Sequence, residues 1–365
     1  MSPSTSSFTI SLPTITMAFT MLIVSVFSNA WGRKQIMMVS LLATSLLSIA
    51  SAFSPSFHIL LLFRFAEGVA LAGFPAIAMT YLSEEISPRS IGSVMGVYIA
   101  GSAIGGFAGR MITSVFTDFF YWHTAILVLG LFSLICAILF ILLLPKSKNF
   151  AKSTVSFTNW IVGNRNALKN PGLLFLFGMG FLFLGSYASL FNYIGFPLSE
   201  EPFSLSQTVI GALFILQLIG TWSSIFFGKL TASHSRAKLM SYAIILLIIG
   251  VILTLSQNLF IVLIGVVLFV CGFFAGHSLA SGWVSSISSV KSKAYASSLY
   301  LFFYYLGSSI VGWSGGLFLA SFDWTGVVCM ILGISLLLIF LLIQITRSLK
   351  KVTAKAETFY KHVYK

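Results

Sequence analysis

The sequence contains very little charge. Of its 365 residues only 8% are Asp, Glu, Lys or Arg, whereas 58% are hydrophobic and the mean hydropathy is +1.00. A soluble domain carries about 25% charged residues, so this chain lacks the side chains that a water-facing surface requires. The composition therefore excludes an ordinary soluble protein and indicates a membrane protein.

Signatures of common enzyme sites are also missing. No glycine-rich phosphate loop ending in Lys-Ser or Lys-Thr occurs, and no HExxH or CxxC pattern occurs. The three cysteines, Cys136, Cys271 and Cys329, lie in apolar runs without metal-ligand spacing. We therefore expect no enzyme activity, no ATP-driven transport, no cofactor and no metal site.

Long apolar runs fill the chain from one end to the other. A helix that crosses a bilayer needs about 20 mostly apolar residues. The runs predict eleven spans, at residues 8–28, 36–53, 58–80, 94–116, 123–144, 171–193, 207–228, 238–255, 259–281, 295–320 and 324–346. The predicted fold class is therefore an all-α integral membrane protein.

Basic residues are confined to alternate connections between these spans. All but two of the 21 Lys and Arg residues lie there or in the C-terminal tail, and the other connections contain none. This is the positive-inside pattern, which places the basic connections and the C-terminus in the cytoplasm. The net charge of +13 is thus a signal of topology in the cell membrane, and we expect no nucleic-acid partner.

The two halves of the sequence resemble each other. GSAIGGFAG, which begins at Gly101, returns 206 residues later as GSSIVGWSG, and Asp118 returns 205 residues later as Asp323. These offsets indicate an internal duplication. We predict an N-terminal bundle (1–144), a cytoplasmic central loop (145–170), a C-terminal bundle (171–346) and a basic cytoplasmic tail (347–365). Because the second half has six spans and the first has five, the first half is expected to lack its opening helix and to leave an open groove there.

These features resemble the major facilitator superfamily. SNAWGRKQ after the first span resembles the signature loop of that superfamily, with Gly32, Arg33 and Lys34 matching and Asn29 in place of the expected acid. RFAEGVALAG in the third span resembles its Arg-x-x-x-Gly motif. The glycine-rich fourth span resembles the fifth-helix motif of antiporters without its Gly-Pro pair. The stretch from Gly96 to Gly130 is most similar to arabinose-efflux-permease-like transporters, in the branch that includes drug:proton antiporters.

The resemblance implies a fold of two pseudo-symmetric helical bundles and a function in transport. We expect a secondary active transporter of small solutes, monomeric and coupled to protons, that performs efflux or antiport by alternating access. Uptake or exchange of a small organic anion is an alternative, since two arginines and one acid lie within the spans. A truncated membrane protein that no longer transports is an alternative of another class.

Apart from Lys238 at the first residue of its span, three charged residues lie inside predicted spans, namely Arg64, Glu67 and Arg110. Arg64 and Glu67 are three residues apart and share a helix face. Arg64 and Arg110 both lie roughly 9 Å below the predicted outer membrane boundary, at 1.5 Å per residue. Intramembrane charges mark substrate or ion pathways by default, so we expect the three to face one another or a shared cavity. A purely structural ion cluster is the alternative.

Other polar residues in the spans are candidates for the lining of the same pathway: His277, Gln217, Asn192, Tyr300 and Tyr304. Packing explains each of them as well, and His277 is more simply a hydrogen-bonded packing residue. The loop residues Asn29, Gly32, Arg33 and Lys34 are expected either to gate the inward opening or only to set topology. Gly101, Gly105, Gly106 and Gly109 share a broad helix face that suits close helix packing, static or moving.

Overall fold

The structure is a computed structural model that describes residues 3–86, 91–145, 147–148, 157–288 and 293–363. Four of the basic loop residues, Arg89, Lys146, Lys152 and Lys291, lie outside these ranges. The side chain of Asn29 is likewise outside the described part, although its backbone is helical.

The described residues of the first half form six helices. They are α1 (Pro3–Trp31), α2 (Arg33–Ser51), α3 (Phe57–Leu71), α4 (Pro75–Glu85), α5 (Ile91–Phe119) and α6 (Trp122–Leu143). The turn from α1 to α2 is a single residue, Gly32, whose φ of 101° a side chain rarely tolerates. The predicted third span differs from the structure, because it is two helices rather than one.

The break in the third span lies at Ala72–Phe74. Pro75 is the first residue of α4, a position at which a helix does not use the backbone N–H. The same proline cannot donate to a carbonyl of α3, so the α-helical hydrogen bonding of α3 ends before it. Ser40 of α2 donates a hydrogen bond of 2.6 Å to the carbonyl oxygen of Ala70. The Ala70 carbonyl near the break therefore has a side-chain hydrogen-bond donor inside the membrane, where no water is available to supply one.

The second half contains the remaining helices of the described chain. They are α7 (Phe157–Leu168), α8 (Pro171–Tyr193), α9 (Gly195–Ser199), α10 (Gln207–Ala212), a 3₁₀ turn (Leu213–Leu216), α11 (Gln217–Leu230), α12 (Arg236–Leu253), α13 (Leu259–Ile287) and α14 (Lys293–Val363). Helix α7 lies in the central loop and was not predicted. Pro171 begins α8 as predicted, with the Asn170 side chain accepting from the N–H of Gly172 at 3.0 Å.

Helix α14 contains the last two predicted spans and most of the tail. Its 71 residues are interrupted only at Phe322 and Asp323, and Asp323 has a φ of 51°. The interruption separates a first arm from a second arm at the place where the sequence predicts a connection. Each of the eleven predicted spans is helical over most of its length, so the all-α membrane fold is confirmed.

The helices expose a surface that only lipid would cover. Seven helical segments of the described chain are long and apolar enough to cross a membrane. The most apolar of them, Trp122–Leu143, is also among the least buried, and Leu142 and Leu143 are 74% and 77% exposed. Soluble proteins rarely expose apolar patches of this extent, so the outer surface is suited to hydrocarbon.

In the described residues, α1 and α5 of the first half both pack against helices of the second half. Helix α1 packs against the first arm of α14, where the rings of Phe19 and Phe302 meet edge to face at 5.0 Å. Helix α5 packs against α10, where a Cβ added at Gly211 would collide with Ser114. The division into bundles at 1–144 and 171–346 stays a prediction.

Candidate functional site

Arg64 and Glu67 form an ion pair inside the first half. Arg64 Nη1 donates to Glu67 Oε2 at 2.8 Å, and Glu67 is only 6% exposed. Ser48 of α2 lies within electrostatic range of this carboxylate, but the other oxygen, Oε1, meets no hydrogen-bond donor in the described residues with suitable geometry. The carboxylate is thus buried with one strong bond.

Arg110 lies apart from that pair, although the sequence predicts that the three residues face one another or a shared cavity. Its guanidinium lies 4.9 Å from the centre of the Phe214 ring, on the second half of the molecule. Tyr187 of α8 is close enough to interact with it electrostatically. Among the described residues no carboxylate forms a salt bridge with Arg110. The expected three-residue cluster is therefore divided between the first half and the interface of the halves.

A cavity of about 270 Å³ adjoins Arg110. Its walls come from α5, from the end of α8 with α9, and from α10 with the following 3₁₀ turn, so both halves contribute. Its lining includes Arg110, Thr113, Asn192, Gln207, Phe191 and Phe214. One cation, amide groups and aromatic rings thus converge on one small space between the halves.

The predicted residues His277, Tyr300 and Tyr304 form a second group, between α13 and the first arm of α14. His277 Nδ1 and the Tyr300 hydroxyl are 3.0 Å apart, and the rings of His277 and Tyr304 lie 4.3 Å apart. Phe273 connects this group to Tyr187, with ring centres at 4.3 Å. Stacked aromatic rings therefore extend from His277 toward the neighbourhood of Arg110. Gln217, in contrast, faces α5 near Gly106.

Hydrogen bonds tie the α1–α2 turn to other helices of the first half on the predicted inner side. Arg33 is buried and binds Glu84 of α4 in bidentate fashion, at 2.8 Å and 3.1 Å. Lys34 donates to the carbonyl oxygen of Leu144, and the Tyr81 hydroxyl donates to that of Pro145 at 3.0 Å. The matched basic residues therefore contact an acid and a helix end on neighbouring helices.

The glycine face of α5 is mostly open in the described part of the chain. A Cβ added at Gly101 or Gly105 would have no atom within 4 Å, which differs from the close helix packing that we expected there. At Gly106 and Gly109 an added Cβ would make ordinary contacts at 3.8 Å with Gln217 and Leu129.

On the predicted outer side, α5 binds the beginning of α10. The Asp118 carboxylate accepts hydrogen bonds from the backbone N–H groups of Gln207 at 3.0 Å and Thr208 at 2.7 Å. Hydrogen bonding by Thr208 and then by Gln207 holds the pKa of the Asp118 carboxyl below its usual value. Because Gln207 also lines the cavity, this contact between the halves lies at the edge of the cavity.

Sequence reasoning missed several of these residues. Tyr187 and Phe214 read as ordinary aromatic residues of apolar spans, and Gln207 read as the edge of a span. Asp118 was noted only as a marker of the duplication. The position of Asp118 at the end of a predicted span is the one sequence feature that indicates this contact. An acid there lies at the membrane surface, where the following helices of the chain also begin or end.

Comparison with known proteins agrees with this architecture. The sequence profile of the Major Facilitator Superfamily matches residues 1–220 and 193–364. The chain belongs to this superfamily. It is 43% identical over 348 residues to the uncharacterized MFS-type transporter YybF of Bacillus subtilis (strain 168), covering 95% of this chain and 86% of YybF. It is 40% identical over 327 residues to the inner membrane transport protein YnfM of Escherichia coli (strain K12), covering 90% and 78%.

Solved structures of other transporters share the fold. A bacterial homologue of the human lysosomal transporter Spinster, inward-facing and occupied, matches with a TM-score of 0.75 at 13% identity, covering 96% of this chain and 90% of that chain.

Shorter sequence matches include the 4-hydroxybenzoate transporter PcaK of Pseudomonas aeruginosa, 28% identical over 123 residues, which are 34% of this chain and 28% of PcaK. The niacin transporter NiaP of Acinetobacter baylyi is 30% identical over 131 residues, which are 36% of this chain and 30% of NiaP.

Proposed function

We propose that the protein is a secondary active transporter of a small organic anion, which binds at Arg110 and moves by alternating access together with protons. Arg110 supports this proposal most directly, because it adjoins a cavity between the halves and no described carboxylate pairs with it. A partly buried cation without a counter-charge is costly in a membrane. An anionic substrate would supply that charge and would bridge both halves.

The cavity favours a small ligand with an apolar body. Its volume of about 270 Å³ is at the lower end of ligand-binding pockets. Asn192 and Gln207 offer amide groups beside the guanidinium, whereas Phe191 and Phe214 offer apolar faces. PcaK and NiaP are named for 4-hydroxybenzoate and niacin, both small aromatic carboxylates. A monocarboxylate of that size is the substrate class that we propose.

Glu67 is the group that we propose to carry the proton. A carboxylate beside an arginine stays ionised, whereas a buried carboxylate without a cation takes up a proton. Separation of Glu67 from Arg64 during the conformational change would switch it between these states. Its burial and its single strong hydrogen bond support this role.

The sequence also favoured proton-coupled efflux in the arabinose-efflux-permease-like or drug:proton antiporter branch. Proton-coupled efflux would also use Glu67 as the proton carrier, but it gives Arg110 no anionic substrate to bind.

We propose a cell-membrane location with the C-terminus in the cytoplasm and a monomeric carrier for either function. A protein that does not transport is the remaining alternative, against which the named transporters among its relatives speak.

The deciding experiment measures transport into proteoliposomes, with and without a proton gradient. Benzoate and nicotinate are compared with the neutral amides benzamide and nicotinamide. We expect transport of the carboxylates only, and a loss of at least about tenfold in kcat/KM for Arg110→Gln, because an unpaired buried charge costs about 2 to 5 kcal/mol. Arg110→Lys should retain part of the activity, since it keeps the charge without the bidentate geometry.

Arg165→Gln is the matched control, because Arg165 is an exposed arginine on α7. Equal transport of the amides, or wild-type rates in Arg110→Gln, would contradict the anion proposal. Failure of every carboxylate together with transport of cationic drugs would favour the efflux reading. No transport of any compound would favour the alternative without transport.

A further inference from the structure

A groove of about 480 Å³ lies between α12 and the second arm of α14, on the outside of the helix bundle. Its floor is apolar and includes Ile245, Ile339 and Ile343, which are 48%, 38% and 44% exposed. These side chains lie within predicted spans, where the surrounding medium is hydrocarbon. The groove is therefore an apolar channel on the lipid-facing surface.

Two basic residues line the predicted inner end of the groove. Lys238 is in the first turn of α12, and Arg347 directly follows the last predicted span. Both are exposed, and neither forms a salt bridge with a described carboxylate. No acidic side chain lines the groove. The pair thus presents two uncompensated positive charges at the level of the cytoplasmic headgroups.

The dimensions suit a single lipid. Ile245 is seven residues from Lys238, and Ile339 is eight from Arg347, so the apolar floor extends about 10 to 12 Å below the charges. The hydroxyl groups of Ser241 and Thr346 lie between the charges and the isoleucines. Basic pockets between membrane helices on the cytoplasmic side bind anionic lipid headgroups, and each basic residue contributes about 1 kcal/mol.

We infer that this groove is a binding site for one anionic glycerophospholipid, whose phosphate contacts Lys238 and Arg347 and whose acyl chain fills the channel between α12 and α14. The positively charged headgroup of a zwitterionic lipid would be repelled by the two cations, so binding of such a lipid is disfavoured. Free phosphate has no apolar part and would leave the isoleucine floor uncovered. The site is separate from the cavity at Arg110, so it does not depend on the proposed function.

The test measures lipid retention by native mass spectrometry on the full-length protein in detergent. Phosphatidylglycerol and phosphatidylcholine are offered at equal concentration, and inorganic phosphate is added as a competitor. We expect phosphatidylglycerol to be retained preferentially and inorganic phosphate to leave its retention unchanged. In the variant Lys238→Gln/Arg347→Gln, the retention of phosphatidylglycerol should fall about fivefold for each charge removed.

Two controls make the result specific. Lys229→Gln/Arg165→Gln removes the same charge from exposed positions outside the groove and should retain the lipid as the wild type does. Ser241→Phe fills the groove but keeps both charges, and it should reduce retention, whereas Leu337→Phe on the exposed face of the same arm should not. Equal retention of both lipids, equal loss in the control pair, or displacement by inorganic phosphate would overturn the proposal.

Discussion

Asp118 at the end of α5 accepts a hydrogen bond of 2.7 Å from the backbone N–H of Thr208 at the beginning of α10, so one half of the protein caps a helix of the other half. A carboxylate at a helix N-terminus satisfies free N–H groups and interacts favourably with the helix dipole. Because the contact joins the halves beside the cavity at Arg110, it is suited to hold the predicted outer side closed.

We expect Asp118→Ala to open that side more often. The substitution removes the acceptor of two backbone N–H groups of α10, so the contact between the halves becomes weaker. The measurement is the rate at which an impermeant thiol reagent, added outside, labels a Thr113→Cys variant that lacks the three native cysteines. Glu200→Ala, an exposed acid on the same side, is the control, and an unchanged rate in Asp118→Ala would contradict the role.

The same closure should be insensitive to external pH from about 5 to 8. The pKa of Asp118 is lowered in the closed contact, so its stabilising effect is fully present above the ordinary value of about 3.9. The effect is lost only as the pH falls through the lowered pKa. Labelling of Thr113→Cys at a series of external pH values checks this. A rise in labelling, corrected for thiolate fraction, already near pH 6 would show that another group controls the closure.

Glu67→Gln should abolish proton-driven accumulation of substrate while the protein remains folded and inserted. The amide keeps the shape of the carboxylate but does not exchange a proton, so exchange without a gradient should persist. Transport with and without a proton gradient, together with thermal unfolding, separates the cases. Gradient-driven accumulation at the wild-type level would eliminate the carrier role. Loss of folding would favour a structural ion pair, since breaking a buried pair costs about 3 to 5 kcal/mol.

The Arg33–Glu84 pair should contribute measurably to the stability of the first half. Glu84→Arg leaves two cations in contact, and we expect it to destabilise the protein by about 1.5 to 3 kcal/mol, the range for hydrogen bonds to charged groups. The exchange Arg33→Glu/Glu84→Arg should restore part of that loss. Thermal unfolding in detergent measures both, with Glu200→Arg at an exposed position as a control for net charge. Additive losses in the double variant would refute a specific pair.

The orientation in the membrane is also testable. The distribution of basic residues predicts that residue 5 lies outside the cell and residue 360 lies in the cytoplasm. Single cysteines, Thr5→Cys and Tyr360→Cys, can be labelled in intact cells and in inverted vesicles. Labelling of both from the same side would contradict an odd number of spans between them.

Local patterns were sufficient to predict most helices but not the break in the third span. Pro171 indicates the start of α8 because polar residues precede it. Pro75 does not indicate a break, because apolar residues flank it on both sides and the run has the length of a span. Whether such a proline kinks or interrupts a helix depends on donors from neighbours, here Ser40, which lies 35 residues earlier in the chain.

The candidate site was predictable in composition but not in arrangement. The rise of 1.5 Å per residue gives the depth of Arg64 and Arg110 in the membrane, but it does not give the direction in which each points around its helix. Arg64 faces Glu67, whereas Arg110 faces Phe214 of the other half. The Asp118 contact was equally inaccessible, because it joins residues 90 apart and leaves no local signature.

The interruption at Ala72–Phe74 divides the third span into two units with different contacts. Helix α3 packs against α1, where Gly68 permits close approach to Pro13 and Thr16, and against α2, where Ser40 binds the Ala70 carbonyl oxygen. Helix α4 is bound to α2 through the ion pair of Glu84. The span is therefore not one continuous rod, and a displacement at the Glu84 end changes the angle between α3 and α4 instead of tilting the whole span. At 1.5 Å per residue the break lies roughly 21 to 24 Å below the predicted outer boundary at His58, so the longer unit is on the outer side of the bend.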